Sequence, residues 1–154
     1  MKQLAIAFLV MTLSACGFTP LYASNVSAGN IEIGTIDGRA GHALRKALLQ
    51  ELAPGLPGVE VPGRLEIELN ESIGRLALQP DEAATRTDII VRANYVFAYG
   101  DTALSGRSSA ETSFLVPDAP FSDIAAQIDA TDRAMLLLAR RIADDLRIKT
   151  ASAQ

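Results

Sequence analysis

One cysteine and one histidine stand in a chain of 154 residues, and the two shortages exclude much chemistry. A lone cysteine permits no intramolecular disulfide. His42 has no second histidine and no free cysteine to join it in a metal centre or a catalytic constellation, so it reads as a solvated helix residue and no metal site is expected. No Gly-rich phosphate loop of the Walker or dinucleotide type is present. No apolar run approaches the ~20 residues that a membrane-spanning helix requires. Heptads, internal repeats and low-complexity tracts are missing. The formal charge of -4 makes the chain a poor non-specific ligand for nucleic acid and gives it no electrostatic affinity for anionic lipid as a whole. Glu66 and Glu68 share a strand face, as an acid–base pair would, but they read better as the wet side of that strand. Ser108-Ser109 has no base nearby in sequence. The expectation is a protein that is not an enzyme.

What is present begins at the N-terminus. Met1-Lys2-Gln3 is followed by the apolar run 4–13 and then by Ser14, Ala15 and Cys16. The run is too short to span a bilayer and suits a signal-peptide core, so residues 1–15 are read as a signal peptide. Leu13-Ser14-Ala15-Cys16 resembles the bacterial lipobox, in which the thiol receives a diacylglycerol group and the new N-terminus is then acylated. Cys16 is therefore the expected lipidation site, and the only cofactor-like group expected is this covalent lipid, palmitate among its chains. Several acyl chains anchor far more firmly than one. Loss of Lys2 leaves side-chain charges summing to -5. Gly17, where an aspartate would favour retention at the inner membrane, points to the outer membrane.

Residues 17–30 are rich in Gly, Ser, Asn and Ala and complete a lipidated tether, 16–30. A single domain is expected over 31–149 and a frayed tail over 150–154. Ile31 and Ile33 alternate with polar residues as a short strand, and Asp37 is placed to cap a helix over 39–52, where Ala40, Ala43, Leu44, Ala47, Leu48 and Leu52 form one apolar stripe. Pro54-Gly55 and Pro57-Gly58 end it. Leu65, Ile67 and Leu69 alternate with Glu66, Glu68 and Asn70 in a second strand. Its parity changes between Ile73 and Leu76, which predicts a β-bulge near Gly74. The odd positions Ile89, Val91, Ala93, Tyr95, Phe97 and Tyr99 mark a third strand, and Gly100-Asp101-Thr102 turns it into a fourth over 104–116. Ser122 or Asp123 then caps a final helix carrying Ile124, Ile128, Met135, Leu138, Ile142 and Leu146. The order β-α-β-β-β-α implies an α+β, two-layer sandwich, with two helices packed on one face of a four-stranded, largely antiparallel sheet. The opposite face mixes Ile90, Val96 and Ala98 with Arg92 and Asn94, a composition that suits docking.

Basic residues are the candidates for binding. Arg39, His42 and Lys46 share one side of the first helix beside Arg45, while Arg75, Arg86, Arg92 and Arg107 belong to the strands. An arginine grips phosphate with a bidentate fork. These arginines are candidate phosphate ligands, against the alternative of an ordinary solvated charge set.

The run Cys16-Gly17-Phe18-Thr19-Pro20-Leu21-Tyr22, then Leu76-Ala77-Leu78-Gln79-Pro80-Asp81-Glu82-Ala83-Ala84-Thr85-Arg86 with Ala93-Asn94-Tyr95, then the hairpin over 99–106 and the Ala-rich last helix, resembles the LPS-assembly lipoprotein family LptE (RlpB-like) in its alphaproteobacterial form. The resemblance runs over essentially all of the chain beyond Cys16. It implies two helices on a four-stranded sheet and a place inside the outer-membrane β-barrel LptD, as a plug that helps the barrel fold. It also implies a part in moving lipopolysaccharide into the outer leaflet, with Arg86 and Arg92, then Arg107, as the expected contacts to its phosphates, and a lipid-anchored location facing the periplasm or within the barrel lumen. Two other readings are open: a lipoprotein carrier that holds acyl chains in its own cavity, and a structural outer-membrane lipoprotein.

Overall fold

The computed structural model describes residues 27–76, 86–116 and 120–152. The segment expected as a signal peptide, Cys16 and most of the expected tether lie outside the described residues, as do residues 77–85 and 117–119. The chain runs β1 (Ser27–Ala28), β2 (Ile31–Ile33), α1 (Gly38–Glu51), β3 (Gly63–Leu76), β4 (Arg86–Tyr99), β5 (Thr102–Leu115) and α2 (Pro120–Ser152). The strands form one sheet in the order β1-β2-β3-β4-β5. β2 runs parallel to β3, as the α1 crossover between them requires, and the other neighbours are antiparallel. This is the expected β-α-β-β-β-α sandwich with one addition. Ser27 and Ala28, at the end of the expected tether, pair with Glu32 and Ile31 as a two-residue edge strand.

Side-chain alternation decides which face is covered. On β4, Ile89, Val91, Ala93, Tyr95 and Phe97 are fully or almost fully buried, while Arg92, Asn94, Val96 and Ala98 are exposed. Leu65 on β3 and Ala110 on β5 extend the buried face. The helices pack against each other and onto this face, α2 along β4 and β5 and α1 beside β2. They bring Leu44, Leu48 and Leu52 from α1 and Met135, Leu138, Ile142 and Leu146 from α2, all at 0% exposure. Each large apolar side chain so buried contributes roughly 1.5–3 kcal/mol. The layer between sheet and helices is filled by these side chains.

Several local expectations are corrected. No bulge interrupts β3: its pairing with β4 is continuous from Gly63↔Tyr99 to Leu76↔Arg86. The parity conflict is left standing instead. Ile73 keeps to the helix-side face but lies beyond the helices' cover, 43% exposed. Asp37 occupies the N-cap position of α1 without a side-chain capping bond. α2 starts at Pro120, where a proline's missing N–H costs nothing, so Ser122 and Asp123 lie inside the first turn and do not cap it. α2 also runs on to Ser152, into the stretch expected to fray, because Thr150 is buried and its hydroxyl donates to the Leu146 carbonyl at 2.9 Å. The β4–β5 turn has two central residues. Gly100 takes φ +51° and Asp101 a negative φ, which is the sign pattern of a type II′ turn.

Candidate functional site

The open face of the sheet gathers the polar side chains that alternation turns away from the core. β3 presents Arg64, Glu66, Glu68 and Asn70; β4 presents Arg86, Asp88, Arg92, Asn94 and Val96; β5 presents Ser105, Arg107 and Ser109. One cross-strand row is fully bonded. Asn94 donates to Glu68 Oε2 at 3.3 Å, and Arg107 Nε donates to Asn94 Oδ1 at 2.9 Å, along the register Glu68↔Asn94↔Arg107. A shallow groove of about 640 Å³ crosses the sheet here, lined by Glu66, Glu68, Asn94, Val96, Ser105 and Arg107 among others.

The three arginines singled out from sequence all lie on this face, yet only two meet. Arg92 pairs with Ser109 and Arg107 with Asn94, so the two arginines are diagonal neighbours on adjacent strands, close enough for both to reach one anion. Arg107 uses its Nε on Asn94, and Arg92 has no hydrogen-bond or ion-pair partner among the described residues. Arg86 is six residues up β4, about 20 Å away. Its guanidinium bonds Asp88 at 2.8 Å, and the hydrogen bond and charge of that carboxylate hold its pKa above the ordinary arginine value. Asp88 thus already balances the charge of Arg86.

The remaining candidates are structural or solvated in their settings. Arg39 pairs with Asp132 of α2 at 3.4 Å, and Arg45 donates to the Ile33 carbonyl at 3.2 Å, tying α1 to its neighbours. Arg75 reaches Asp123 at 3.6 Å and fastens the end of β3 to the start of α2. His42 and Lys46 are exposed. Glu66 and Glu68 are exposed too, with Glu66 bonded to Arg64 at 3.0 Å. Among the described residues no group of three His, Cys, Asp or Glu is placed to hold a metal ion, and no helix is long and apolar enough to cross a membrane. Cys16 lies outside the described residues.

Sequence reasoning missed two features. Arg64 belongs to the open face and bridges Glu66 and Glu32, the latter at 3.5 Å; the alternation about Leu65 already put it there. The second is a half-buried polar cluster under the β4–β5 hairpin. The Tyr95 hydroxyl donates to Asp145, Lys149 pairs with Asp145 at 2.7 Å, and Lys149 also donates to the Ser105 carbonyl at 2.8 Å. Tyr95 had been read only as an apolar core position, because its strand periodicity is silent about what its hydroxyl meets.

Compared with solved structures, the chain resembles a protein of Caulobacter crescentus assigned as a lipoprotein, at 26% identity and a TM-score of 0.64, over 80% of this chain and 92% of that one. It also resembles rare lipoprotein B of Shewanella oneidensis, at 12% identity and a TM-score of 0.59, over 80% of this chain and 96% of that one; this second likeness is one of fold. No family model and no curated protein sequence matches it. The chain thus shares the fold of these two lipoproteins.

Proposed function

We propose that the protein is an outer-membrane lipoprotein, acylated at Cys16, that plugs and helps assemble an LptD-type β-barrel and takes part in delivering lipopolysaccharide to the outer leaflet. The observation that carries this reading is the shared fold with the Caulobacter lipoprotein over nearly all of that protein's length. The lipobox at Leu13-Ser14-Ala15-Cys16 supports it from the other end of the chain. The protein works by binding and not by catalysis. Its open sheet face mixes charged, amide and aliphatic side chains, which suits contact with the polar lumen of a large barrel. Arg92 and Arg107 offer two adjacent guanidinium groups to a glycolipid phosphate. Acyl anchoring confines the search for the barrel to the membrane plane and raises the effective concentration of the pair. An acyl-chain carrier would need an apolar cavity, and the layer where one would sit is occupied by Tyr95, Phe97, Met135 and Leu138.

The test is affinity isolation of the native lipoprotein in mild detergent, with identification of its main partner and mass spectrometry of its N-terminal peptide. The expected result is a stoichiometric outer-membrane barrel and a lipid-modified Cys16. A protein that runs alone, or whose cysteine is unmodified, would overturn the reading.

A further inference from the structure

The two long edges of the sheet are treated differently. On β5 the outward carbonyls of Ser105 and Ser109 are met by cations from α2: Lys149 donates to the first at 2.8 Å and Arg141 to the second. On β3 the outer side is covered, among the described residues, only at its start, where β2 pairs with Gly63, Arg64 and Leu65. Gly63 donates outward to the Asn30 carbonyl, and the Leu65 carbonyl accepts outward from Gly34, so the odd residues of β3 point their N–H and C=O away from β4. From Ile67 onward this row, Ile67, Leu69, Glu71, Ile73 and Arg75, makes no outward backbone hydrogen bond among the described residues. The row is also without the proline or lysine that usually blunts an edge. The side chains beside it are acidic. Glu66 and Glu68 are exposed on the open face, Glu66 paired with Arg64 at 3.0 Å and Glu68 accepting from Asn94; Glu71 is exposed on the helix side, and the cation within the row, Arg75, is taken by Asp123.

We propose that the outer edge of β3 over residues 67–75 is a strand-addition site for an extended segment of another chain that carries lysine or arginine at alternate positions. The segment's backbone completes the open ladder, and its cations lie beside Glu66 and Glu68. A second copy of this chain is the poorer occupant, because it would bring an equally acidic edge. The inference stands on the edge geometry and does not depend on the barrel reading.

The probe is a labelled synthetic peptide of about ten residues, a usual strand length, alternating lysine with valine or threonine. Its controls are the same peptide with glutamate for lysine, and one N-methylated at the residues that face the edge. The protein is the full mature lipoprotein in mild detergent. In the free protein the outward amides of Ile67, Leu69, Glu71, Ile73 and Arg75 should exchange quickly and their even neighbours slowly; the lysine peptide should slow the odd set. Affinity should fall about tenfold or more for either control peptide and in E66K/E68K. Ile73→Pro should do the same, since it removes an outward N–H and no bond to β4; if that variant fails to fold, the peptide controls and E66K/E68K carry the test. No protection of the odd amides, or equal binding of the glutamate peptide, would overturn the proposal. So would odd amides already slow in the free protein: at monomer mass the chain itself covers the edge, and at dimer mass a second copy does.

Discussion

Gly106→Ala should destabilise the protein by much more than its mid-strand position on an outer strand suggests. A Cβ at residue 106 would collide with the hydroxyl end of Tyr95 and stand 2.7 Å from Lys149 Nζ. Neither group can retreat cheaply. The Tyr95 side chain is 2% exposed, its hydroxyl donates to Asp145, and Lys149 is tied both to Asp145 and to the Ser105 carbonyl. Overpacking a well-filled site costs about 1–3 kcal/mol. Loss of a hydrogen bond to a charged group adds about 1.5 kcal/mol or more. A total of about 2.5–4.5 kcal/mol follows, read as a fall in the urea midpoint at constant m-value. In a domain of this size it lowers Tm by roughly 10–18 °C.

The cause can be separated from a general loss of strand quality by a double-mutant cycle. Tyr95→Phe removes the atom nearest the new methyl group and should cost about 1–2 kcal/mol alone, through the lost bond to Asp145. In that background Gly106→Ala should cost clearly less than it does in the wild type. A Gly106→Ala penalty below about 0.5 kcal/mol, or additivity of the two changes to within that margin, would refute the reasoning.

Other consequences are simpler. Gly41→Ala improves helix propensity, yet should destabilise by about 1–3 kcal/mol in chemical denaturation, because its Cβ would sit 2.6 Å from the Ile36 carbonyl oxygen, a backbone atom that cannot swing aside. Leu138→Ala, at a position with 0% exposure, should cost about 2–5 kcal/mol by the same assay. Reversing charge at Arg92 and Arg107 together should weaken lipopolysaccharide binding more than reversal at Arg86, with folding stability changed by less than about 1 kcal/mol because the side chains are exposed. Equal effects at all three positions would mean that the pair is not a unit.

The arrangement of elements was legible because each was written in a single period. α1 and α2 repeat their apolar residues at helical spacing, and β4 alternates without a break for its whole length, so their buried faces follow from the residues alone. The errors fall where two signals compete. At Ile73 and Leu76 the parity rule demanded a bulge, yet backbone pairing with β4 was kept at the expense of an exposed isoleucine. A continuous ladder satisfies every peptide group that β3 turns toward β4, and one half-exposed side chain is the smaller loss. At the start of α2, proline at the first position outweighed the capping residues that follow it. At its end, a buried threonine outweighed a polar tail.

The candidate site was legible by face but not by neighbourhood. Alternation tells which side chains of one strand share a surface, so Arg86 and Arg92 fall on one side of the sheet. Which arginines meet depends on register, and register is set by the turn between strands. The two-residue turn at Gly100-Asp101 pairs Tyr99 with Thr102, which brings Arg107 opposite Asn94 and diagonal to Arg92. One residue more in that turn would slide β5 along β4 and put Arg107 on the helix side, beneath α2. The same turn therefore brings the guanidinium groups of Arg92 and Arg107 together and sets Gly106 under the Tyr95 hydroxyl. Lengthening it by a single glycine should disrupt the Arg92–Arg107 pair and the half-buried Tyr95–Asp145 contact together, whereas a substitution at Asp101 that keeps the turn length should disrupt neither. Circular dichroism of the fold and binding of lipopolysaccharide, measured on the two variants side by side, would show whether one turn controls both.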